Sequence, residues 1–444
     1  MGKKNKALWG WVFYDWANSA FATTVIAGFF PVFFKSYWSF NADVNLSTAR
    51  LGLGNACASL LVALMAPLLG AIADRGSARK KLLFGFAYLG VICTLALFMV
   101  QKGQWRWAIL IYAIGNIGWA GANIFYDALL PSAAIDGRIH RTSSLGYAMG
   151  YLGGGLLFAV NVGMTLHPGL FGIPDAATAV RLSFVTVALW WGGFSLLTVF
   201  WVPEEKPACP LPLGQLIRNG FRQYIETFRQ IKQLKEISLF LLAYWFYIDG
   251  VHTIIRMAVD YGLSLGFEST DLILALLITQ FVGFPAALIF GKLGQDWGAR
   301  RSIYLGIGMY FFITLWGSMM TVKQEFYILA VLIGLAQGGI QALSRSYYAR
   351  LIPVGQSAEY YGFYNMLGKF AAILGPALMG TTGYVTRQLL LPDSPDSRMI
   401  ETVGKLSSRI SIASILIFFI VGAILFYFVD DEKGRKQAVM LAQK

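Results

Sequence analysis

Apolar residues run for about 20 positions at a time along most of this chain, and short polar or charged segments separate the runs. A helix rises about 1.5 Å per residue, so a run of this length can cross the hydrocarbon core of a membrane. The runs lack the period-two alternation of barrel strands and are too long for them, so the pattern predicts helices. Twelve spans are predicted, at 8–34, 51–73, 82–100, 107–130, 144–166, 181–202, 237–258, 270–291, 302–322, 325–344, 360–385 and 407–429.

One basic segment occurs twice, each time where one apolar run ends and the next begins. The first copy reads GAIADRGSARKK at 70–81, and the second reads GKLGQDWGARRS at 291–302, 221 positions later in a chain of 444 residues. Superposing the two copies places Arg79 on Arg300. A basic turn repeated at half the chain length predicts a duplicated membrane bundle. The expected boundaries are 1–202 for a first six-helix bundle, 203–236 for a linker, and 237–444 for a second six-helix bundle with a short tail.

The linker combines a helix-breaking start with an amphipathic pattern. Four prolines that cannot continue a helix open it, namely Pro203, Pro207, Pro210 and Pro212. Apolar residues then recur at helical spacing, namely Leu213, Leu216, Ile217, Phe221, Tyr224, Ile225, Phe228 and Ile231. Basic residues accompany them, namely Arg218, Arg222, Arg229, Lys232 and Lys235. The pattern predicts a helix that lies on the inner membrane face and binds anionic lipid, with docking of a regulatory partner as the alternative.

Composition and charge support a membrane protein. Apolar residues make up 57% of the chain and charged residues 13%, against about 25% charged in soluble domains. A net charge of +13 could suggest nucleic-acid binding, but the basic residues lie in short loops between apolar runs, and this distribution favours membrane orientation over phosphate binding. The inner segments hold 24 of the 36 Lys and Arg residues and the outer segments ten, which predicts that both termini lie inside. The three cysteines, Cys57, Cys93 and Cys209, form no CxxC spacing, so neither a metal cluster nor a disulfide framework is expected.

Two glycine-rich segments resemble nucleotide-binding loops but do not fit them. Gly362–Lys369 has one residue too many for a phosphate-binding loop and is followed by Phe370. Residues 147–155 follow no strand, and small residues in a membrane helix favour close helix packing instead. We therefore expect no cofactor and no use of ATP or NAD, and energy from an ion or substrate gradient. No nucleophile–base or metal constellation indicates an enzyme.

Four further motifs identify a family. The first basic turn has Gly70, Asp74, Arg75, Arg79 and Lys80 where the major facilitator superfamily has its loop motif, whereas the second has Gln295 in place of the aspartate and Asp296 one position later. The more specific segments are Tyr14–Phe21 (YDWANSAF), Tyr126–Pro131 (YDALLP), Gln341–Ser346 (QALSRS) and Tyr361–Asn365 (YGFYN). Together they resemble the autophagy-related vacuolar amino-acid effluxer family and its bacterial relatives. The resemblance implies an all-α membrane protein of the major-facilitator type, with twelve helices in two pseudo-symmetric bundles. It also implies amino-acid efflux for the vacuolar members, and the short linker points to a bacterial inner membrane with both termini cytoplasmic.

Very few ionisable groups lie within the predicted spans, and each costs about 2.5–3.5 kcal/mol there, so they are candidates for function. Asp249, His252 and Arg256 share one face of the seventh span at i, i+3 and i+7, and Lys369 lies at similar depth in the eleventh. Arg256 or Lys369 would bind the carboxylate of a zwitterion and Asp249 its amine. The alternatives are a structural ion pair between Asp249 and one of these cations, or proton coupling. His252 either exchanges protons or serves Asp249 as a hydrogen-bond partner.

Neutral polar side chains extend this candidate site. Asn116 and Asn123 share a face of the fourth span, and Gln337 and Gln341 share one in the tenth. Asn18 in the first span adds to them, with Asn365 and Gln280 as weaker candidates. In the superfamily that this chain resembles, helices one, four, seven and ten line the cavity. Amides in membrane helices also join helices to one another, which is the structural alternative.

A third group of charges lies near the inner ends of the spans and is expected to act in gating. Its members are Asp15, Asp74, Arg79, Asp127, Arg300 and Arg345. Asp74 would engage a helix dipole or Arg79 across the seam between the halves. The alternatives are that Asp127 is a helix cap and that the basic turns merely fix membrane orientation.

The sequence therefore predicts a secondary active transporter that moves a small organic solute by alternating access, with an amino acid or similar zwitterion as substrate. Its expected partners are that solute, membrane lipid and coupled protons, with no nucleic acid, and we expect a monomer. The competing hypotheses are a lipid or hydrophobic-compound transporter and a non-transporting membrane sensor or scaffold.

Overall fold

A computed structural model describes residues 2–40, 44–76, 78–135, 137–204, 213–353, 355–391 and 396–442, and within these residues there is no β-strand. The first six helical segments are α1 (Lys3–Trp38), α2 (Val44–Gly76), α3 (Arg79–Ala96), α4 (Trp105–Ala128), α5 (Ile139–Leu166) and α6 (Ala176–Trp201). The linker contains α7 (Leu213–Gln233). The remaining helices are α8 (Lys235–Ser264), α9 (Ser269–Leu293), α10 (Ala299–Met319), α11 (Lys323–Tyr348), α12 (Ser357–Leu390), α13 (Ser397–Ala413), α14 (Leu416–Tyr427) and α15 (Asp431–Ala442).

The predicted count of twelve spans is not reproduced one for one. Among the described residues, ten segments are long and apolar enough to cross a membrane. One of them, Thr270–Met319, covers two predicted spans, because the second basic turn forms the π-helical segment Gly294–Gly298 instead of a loop. The predicted span 360–385 lies within α12, which is not among the ten. The helices are nevertheless those expected for a major-facilitator fold.

Large apolar side chains cover the outer surface of the helices. Ile92, Leu189 and Ile289 are 62%, 69% and 56% exposed, respectively. A surface of this kind would be unstable in water but is ordinary in contact with lipid tails. The protein is therefore an integral membrane protein.

Glycines set the distance between helices within the first half. A Cβ atom added at Gly153 of α5 would lie 2.6 Å from the Trp16 carbonyl oxygen of α1, and one at Gly154 would lie 3.0 Å from the Ser19 carbonyl oxygen. The glycine-rich segment 147–155 therefore permits close packing of α1 and α5, as its sequence predicts.

The two halves meet at α2 with α12 and at α5 with α9 and α11. The glycines that begin the two basic segments each lie at this seam. A Cβ atom on Gly70 of α2 would collide with the Ala358 carbonyl of α12, and one on Gly291 of α9 would lie 2.6 Å from Cβ of Ser144 in α5. Each half thus uses the same glycine of its repeat to approach the other half.

The charged ends of the two repeats hold the last membrane helix of their own half. Lys80 Nζ donates to the Val202 carbonyl at the end of α6 (2.6 Å), and Arg300 donates to the Tyr427 carbonyl at the end of α14 (2.6 Å). We call the side of the molecule with these contacts the terminal face. The opposite face carries contacts such as Trp38 Nε1 to the Val100 carbonyl (3.2 Å).

Helix α7 packs on the terminal face against both halves. A Cβ atom on Gly220 would lie 2.6 Å from Ile72 of α2, and the rings of Tyr224 and Phe228 stack on Phe363 of α12 with centroids 5.7 and 6.2 Å apart. Several residues of the predicted apolar face, namely Phe221, Ile225 and Phe228, are exposed, whereas Gln223 and Thr227 are buried. Pro207, Cys209, Pro210 and Pro212 lie outside the described residues, as do the side chains of Arg75, Leu213, Leu216, Ile217, Arg218 and Lys232.

Candidate functional site

A buried ion cluster joins the two halves near the terminal face. It consists of Asp15 in α1, Asp127 in α4 and Arg345 in α11. Arg345 Nη1 lies 3.1 Å from Asp127 Oδ1, and Nη2 lies 3.9 Å from Asp15 Oδ2. Only 3% of the Arg345 side chain is exposed. The first half thus supplies both carboxylates and the second half supplies the guanidinium.

Surrounding groups complete the coordination of Arg345. Its Nε donates to Ser143 Oγ (3.0 Å) and its Nη2 donates to the Ser143 carbonyl (2.9 Å). Its guanidinium carbon lies 4.8, 5.2 and 4.4 Å from the ring centroids of Trp11, Tyr126 and Tyr147. A planar cation enclosed by rings and acceptors in this way is stable although it is buried.

The two carboxylates of the cluster also have neutral partners. The Tyr126 hydroxyl donates to Asp15 (2.9 Å), and Asn365 Nδ2 donates to Asp127 Oδ2 (3.0 Å). With two acidic groups and one basic group, the cluster carries one negative charge more than its arginine neutralises. Asn365 of α12 therefore belongs to this cluster.

Asp74 forms a second link across the seam. Its Oδ1 lies 2.7 Å from Arg79 Nε, and its two oxygens accept hydrogen bonds from the backbone N–H groups of Ala358 (3.2 Å) and Glu359 (2.9 Å). These two N–H groups belong to the first turn of α12, where the helix dipole favours a negative charge. Arg79 in addition donates to the Gly355 carbonyl (3.0 Å). Both contacts expected of Asp74, with Arg79 and with a helix dipole, are thus present.

The second basic turn makes a weaker link. Asp296 lies 3.7 Å from Arg141 of α5, with the two side chains 46% and 45% exposed. Arg300 hydrogen-bonds to the Tyr427 carbonyl of its own half, and among the described residues no hydrogen bond or ion pair joins it to the other half. Its expected part in gating stays a prediction.

Further hydrogen bonds close the terminal face between the halves. His140 of α5 hydrogen-bonds with Ser346 (2.8 Å), and Arg350 donates to the other ring nitrogen of His140 (3.1 Å). Ser143 Oγ donates to the Ala342 carbonyl (2.7 Å). The Glu204 carboxylate accepts a hydrogen bond from the Lys80 backbone N–H. Burial raises the pKa of this carboxyl group.

The mid-membrane charges do not form the predicted ion pair. Asp249 is 1% exposed and accepts from the Gly375 backbone N–H (2.9 Å) and from Thr253 Oγ1 (3.3 Å). Its Oδ2 has no hydrogen-bond partner. Within the described residues, no ion pair shorter than 4.0 Å joins it to Arg256 or Lys369. Asp249 is thus held in the contact between α8 and α12.

Arg256 and Lys369 instead face α4 of the first half. Arg256 is exposed and lies within electrostatic range of the Tyr112 hydroxyl, of Asp249 and of Lys369. Lys369 Nζ lies 4.8 Å from the ring centroid of Trp119. His252 lies within electrostatic range of both cations and is not among the hydrogen-bond partners of Asp249. The three basic side chains of the second half therefore gather at one place.

One face of α4 lies opposite these cations. Tyr112, Asn116, Trp119 and Asn123 are spaced at i, i+4, i+7 and i+11, so they line a single side of the helix. Asn123 Oδ1 accepts from Asn18 Nδ2 (2.6 Å), which joins α1 to α4 at the end of this row. We call Arg256, Lys369, His252 and this face of α4 the central site.

The predicted glutamines lie elsewhere. Gln341 lies beside the ion cluster, 3.5 Å from the Tyr147 hydroxyl. Gln337 lines a mainly apolar cavity of about 90 Å³ between helices of the second half. Gln280 is buried where α9 meets Gly155 of α5. The structure thus divides the predicted polar residues between the central site, the ion cluster and helix packing.

Sequence reasoning missed Ser143, Tyr126, Tyr147 and Trp119, which complete the two sites. These side chains are common in membrane helices and are significant here only because of what they contact. The helical register of Tyr112 and Trp119 with Asn116 and Asn123 is a signal that was available in the sequence.

Comparison with known proteins places the chain in a family. The model of the family described as "Vacuole effluxer Atg22 like" matches residues 48–138 and 134–389. The MFS-type transporter YxiO of Bacillus subtilis (strain 168) is 36% identical over 95% of this chain and 94% of its own length. Autophagy-related protein 22 of Yarrowia lipolytica is 22% identical over 83% of this chain and 73% of its own length.

Solved structures share the fold. The human organic anion transporter MFSD10 superposes with a TM-score of 0.68 at 12% identity, covering 96% of this chain and all of that one. The proton:xylose symporter XylE has a TM-score of 0.68 at 13% identity, covering 99% of this chain and 98% of that one. These likenesses establish the major-facilitator fold.

Proposed function

This chain belongs to the Atg22-like effluxer family of the major facilitator superfamily, and from that premise we propose that it moves a small organic solute by alternating access. Secondary transport across a membrane is the activity that its family membership supports. The finer assignment concerns the substrate, the coupling ion and the gate.

The observation that carries the mechanism is the ion cluster of Asp15, Asp127 and Arg345. Its arginine belongs to one half and its two aspartates to the other, and all three side chains are buried. Opening the terminal face must separate these charges and must also free Asp74 from the first turn of α12. The conformation described is therefore the one closed at the terminal face, and the two links are its gate.

The substrate that we propose is an amino acid or a related compound with a carboxylate. Arg256 and Lys369 are cations that lack an ion-pair partner among the described residues, and they lie where the halves meet. A carboxylate would bind them with charge-assisted hydrogen bonds. The description of the family as effluxers supports export as the direction.

Proton coupling has support in the charge balance of the ion cluster. Two buried carboxylates share one guanidinium, so binding one proton would make the cluster neutral. A proton on Asp15 would also weaken its attraction to Arg345 and so favour opening of the terminal face. We therefore propose coupling at Asp15 and Asp127 in place of Asp249 and His252, which the sequence offered as one alternative.

The surplus of basic residues on the terminal face supports an orientation with both termini in the cytoplasm of a bacterial inner membrane. Exposed apolar and basic residues of α7, such as Phe221 and Arg222, would then contact anionic lipid of the inner leaflet. We propose that the protein works as a monomer.

Counterflow into liposomes tests the function. Purified protein, with liposomes lacking protein as the control, would exchange labelled amino acids for unlabelled ones, and an imposed pH gradient would drive net movement. Exchange of lipids alone would favour the hydrophobic-compound transporter. No exchange of any solute under any gradient would favour a sensor or scaffold and would contradict the proposal.

A further inference from the structure

We propose that the central site selects organic anions, so that the substrate carries net negative charge and is a dicarboxylate or an acidic amino acid. This inference rests on the proposed transport function and narrows it. It departs from the zwitterion that the sequence suggests, because Asp249, although within electrostatic range of Arg256, is buried and hydrogen-bonded in the contact between α8 and α12.

The first step is the surplus of positive charge. Arg256 and Lys369 lie within electrostatic range of each other, with His252 beside both. Two cations that approach within a membrane protein repel one another, and Asp249, which is within electrostatic range of Arg256, sets one acidic group against these two basic ones. Within the described residues neither cation has a carboxylate within 4.0 Å. A bound anion would supply the missing charge.

The second step is the position of Asp249. An amine would need this carboxylate as its counter-charge, but Asp249 Oδ1 already accepts from the Gly375 N–H and from Thr253. Only 1% of Asp249 is exposed. A substrate amine could not reach it without opening the contact between α8 and α12. The central site therefore offers two basic side chains to a carboxylate, and the one carboxylate that acts on them, Asp249, is too buried for an amine to reach.

The third step is the wall that faces the cations. Asn116 lies between the buried Tyr112 and the half-buried Trp119 on this face of α4 and supplies both a donor and an acceptor. Trp119 already holds Lys369 over its ring, which directs the ammonium along α4. Two cations on the second half and neutral polar groups on the first half suit a small molecule with two separated carboxylates.

Matched pairs of compounds test the inference by thermal shift of the purified full-length protein. The pairs are glutamate with glutamine, aspartate with asparagine, and succinate with succinamide, which differ in charge but little in size. We expect the acidic member of at least one pair to bind at least about tenfold more tightly than its neutral partner, since hydrogen bonds to charged groups contribute about 1.5–3 kcal/mol.

Variants locate the effect. Lys369→Gln and Arg256→Gln are expected to remove the preference for the acidic compound, and Lys369→Arg is expected to retain most of it. Lys405→Gln is the matched control, because Lys405 forms an exposed ion pair with Glu401 (2.7 Å) far from the central site. The melting temperature without ligand shows whether each variant folds, and Lys369→Arg keeps the test valid if the glutamine variants do not fold.

Two outcomes overturn the inference. Equal binding of acidic and neutral partners, or stabilisation by no member of the panel, would show that the site does not select anions. Neither outcome removes the transport proposal, which stands or falls on counterflow of any solute, charged or neutral, and on movement of the two halves. A preference for acidic compounds that survives both glutamine variants would place the anion site elsewhere and would also overturn the assignment.

Discussion

Arg345 holds more of the terminal face together than any other single side chain described above. It binds two aspartates of the opposite half and both polar groups of Ser143, and three aromatic rings surround it. A buried ion pair contributes little net stability compared with an apolar pair of the same size, but removing one partner leaves an uncompensated buried charge. The structure therefore tolerates loss of the arginine poorly.

Arg345→Gln should lower stability by about 3–5 kcal/mol, because two carboxylates would remain buried without their cation. Arg141→Gln is the matched control, since Arg141 forms an exposed pair with Asp296 at 3.7 Å and pairs of that kind contribute about 1 kcal/mol or less. Thermal unfolding in detergent measures both. Adding Asp127→Asn to Arg345→Gln should restore part of the loss, and equal melting temperatures for the two single variants would contradict this role.

Asp74→Asn should slow transport about tenfold while leaving membrane insertion normal. The asparagine keeps one acceptor but loses the charge that binds Arg79 and the first turn of α12, at a cost of about 1.5 kcal/mol or more. Asp296→Asn, in the other basic turn, is the control and should transport at the normal rate. Unchanged initial rates for Asp74→Asn at equal membrane abundance would remove Asp74 from the gate.

The sequence identifies the charged residues of the gate but not their partners. Asp15, Asp127 and Arg345 stand out because ionisable groups in membrane helices are rare. Their pairing depends on how α1, α4 and α11 pack, which no local pattern encodes. Arg256 follows Asp249 at i+7, about 10 Å further along the helix, so sharing a face did not bring the charges into contact.

The bond between Asp249 and Gly375 has a sequence signal of its own. Gly375 precedes Pro376, which lies inside α12. Proline interrupts the hydrogen-bond ladder of a membrane helix, and neighbouring side chains then bond the backbone groups that it frees. The proline therefore marks a place where the helix is locally distorted and where Asp249 bonds the backbone of α12.

At the scale of elements, the seam between α2 and α12 depends on glycine. A Cβ atom at Gly362 would lie 2.6 Å from the Ala66 carbonyl oxygen, and Gly70 lies just as close to the backbone at Ala358. These glycines allow the two backbones to touch where the halves meet. The seam is therefore sensitive to a single methyl group.

Gly362→Ala should destabilise the protein by roughly 1–3 kcal/mol, as expected for overpacking, and should weaken the closed terminal face. Gly380→Ala in the same helix is the control, because no atom lies within 4 Å of a Cβ atom there. The control should be neutral or slightly stabilising, since alanine favours a helix over glycine. Melting temperatures that fall equally in both variants would show that the effect is not contact at the seam.

The helices themselves are largely predictable from the sequence, because a run of about 20 apolar residues can satisfy its backbone in lipid only as a helix. Two features of the elements are not. The turn at Gly294–Gly298 continues as a π-helix and joins two spans, although its residues resemble those of the first turn. The packing of α7 on Phe363 depends on the closed seam beneath it.

At the scale of the whole molecule, the two basic repeats make similar contacts, but only one of them forms a buried link between the halves. In each repeat the first glycine lies at the seam, and a basic side chain hydrogen-bonds to a carbonyl at the end of the last membrane helix of the same half. Only in the first repeat does a buried aspartate, Asp74, accept hydrogen bonds from a helix of the other half. The corresponding Asp296 of the second repeat remains exposed. The duplication is visible in the sequence, but this asymmetry depends on the one-position shift of the second aspartate and on the turn that carries it.

The distance between spin labels across the terminal face tests the central claim most directly. Labels at Arg138→Cys and Arg301→Cys, both exposed and in opposite halves, would be measured by double electron–electron resonance after Cys57, Cys93 and Cys209 are changed to serine. We expect a short distance to dominate in the parent protein and a longer one to gain population in Asp74→Asn but not in Asp296→Asn. A single distance, identical in all three proteins with and without a transported solute, would contradict alternating access through this gate.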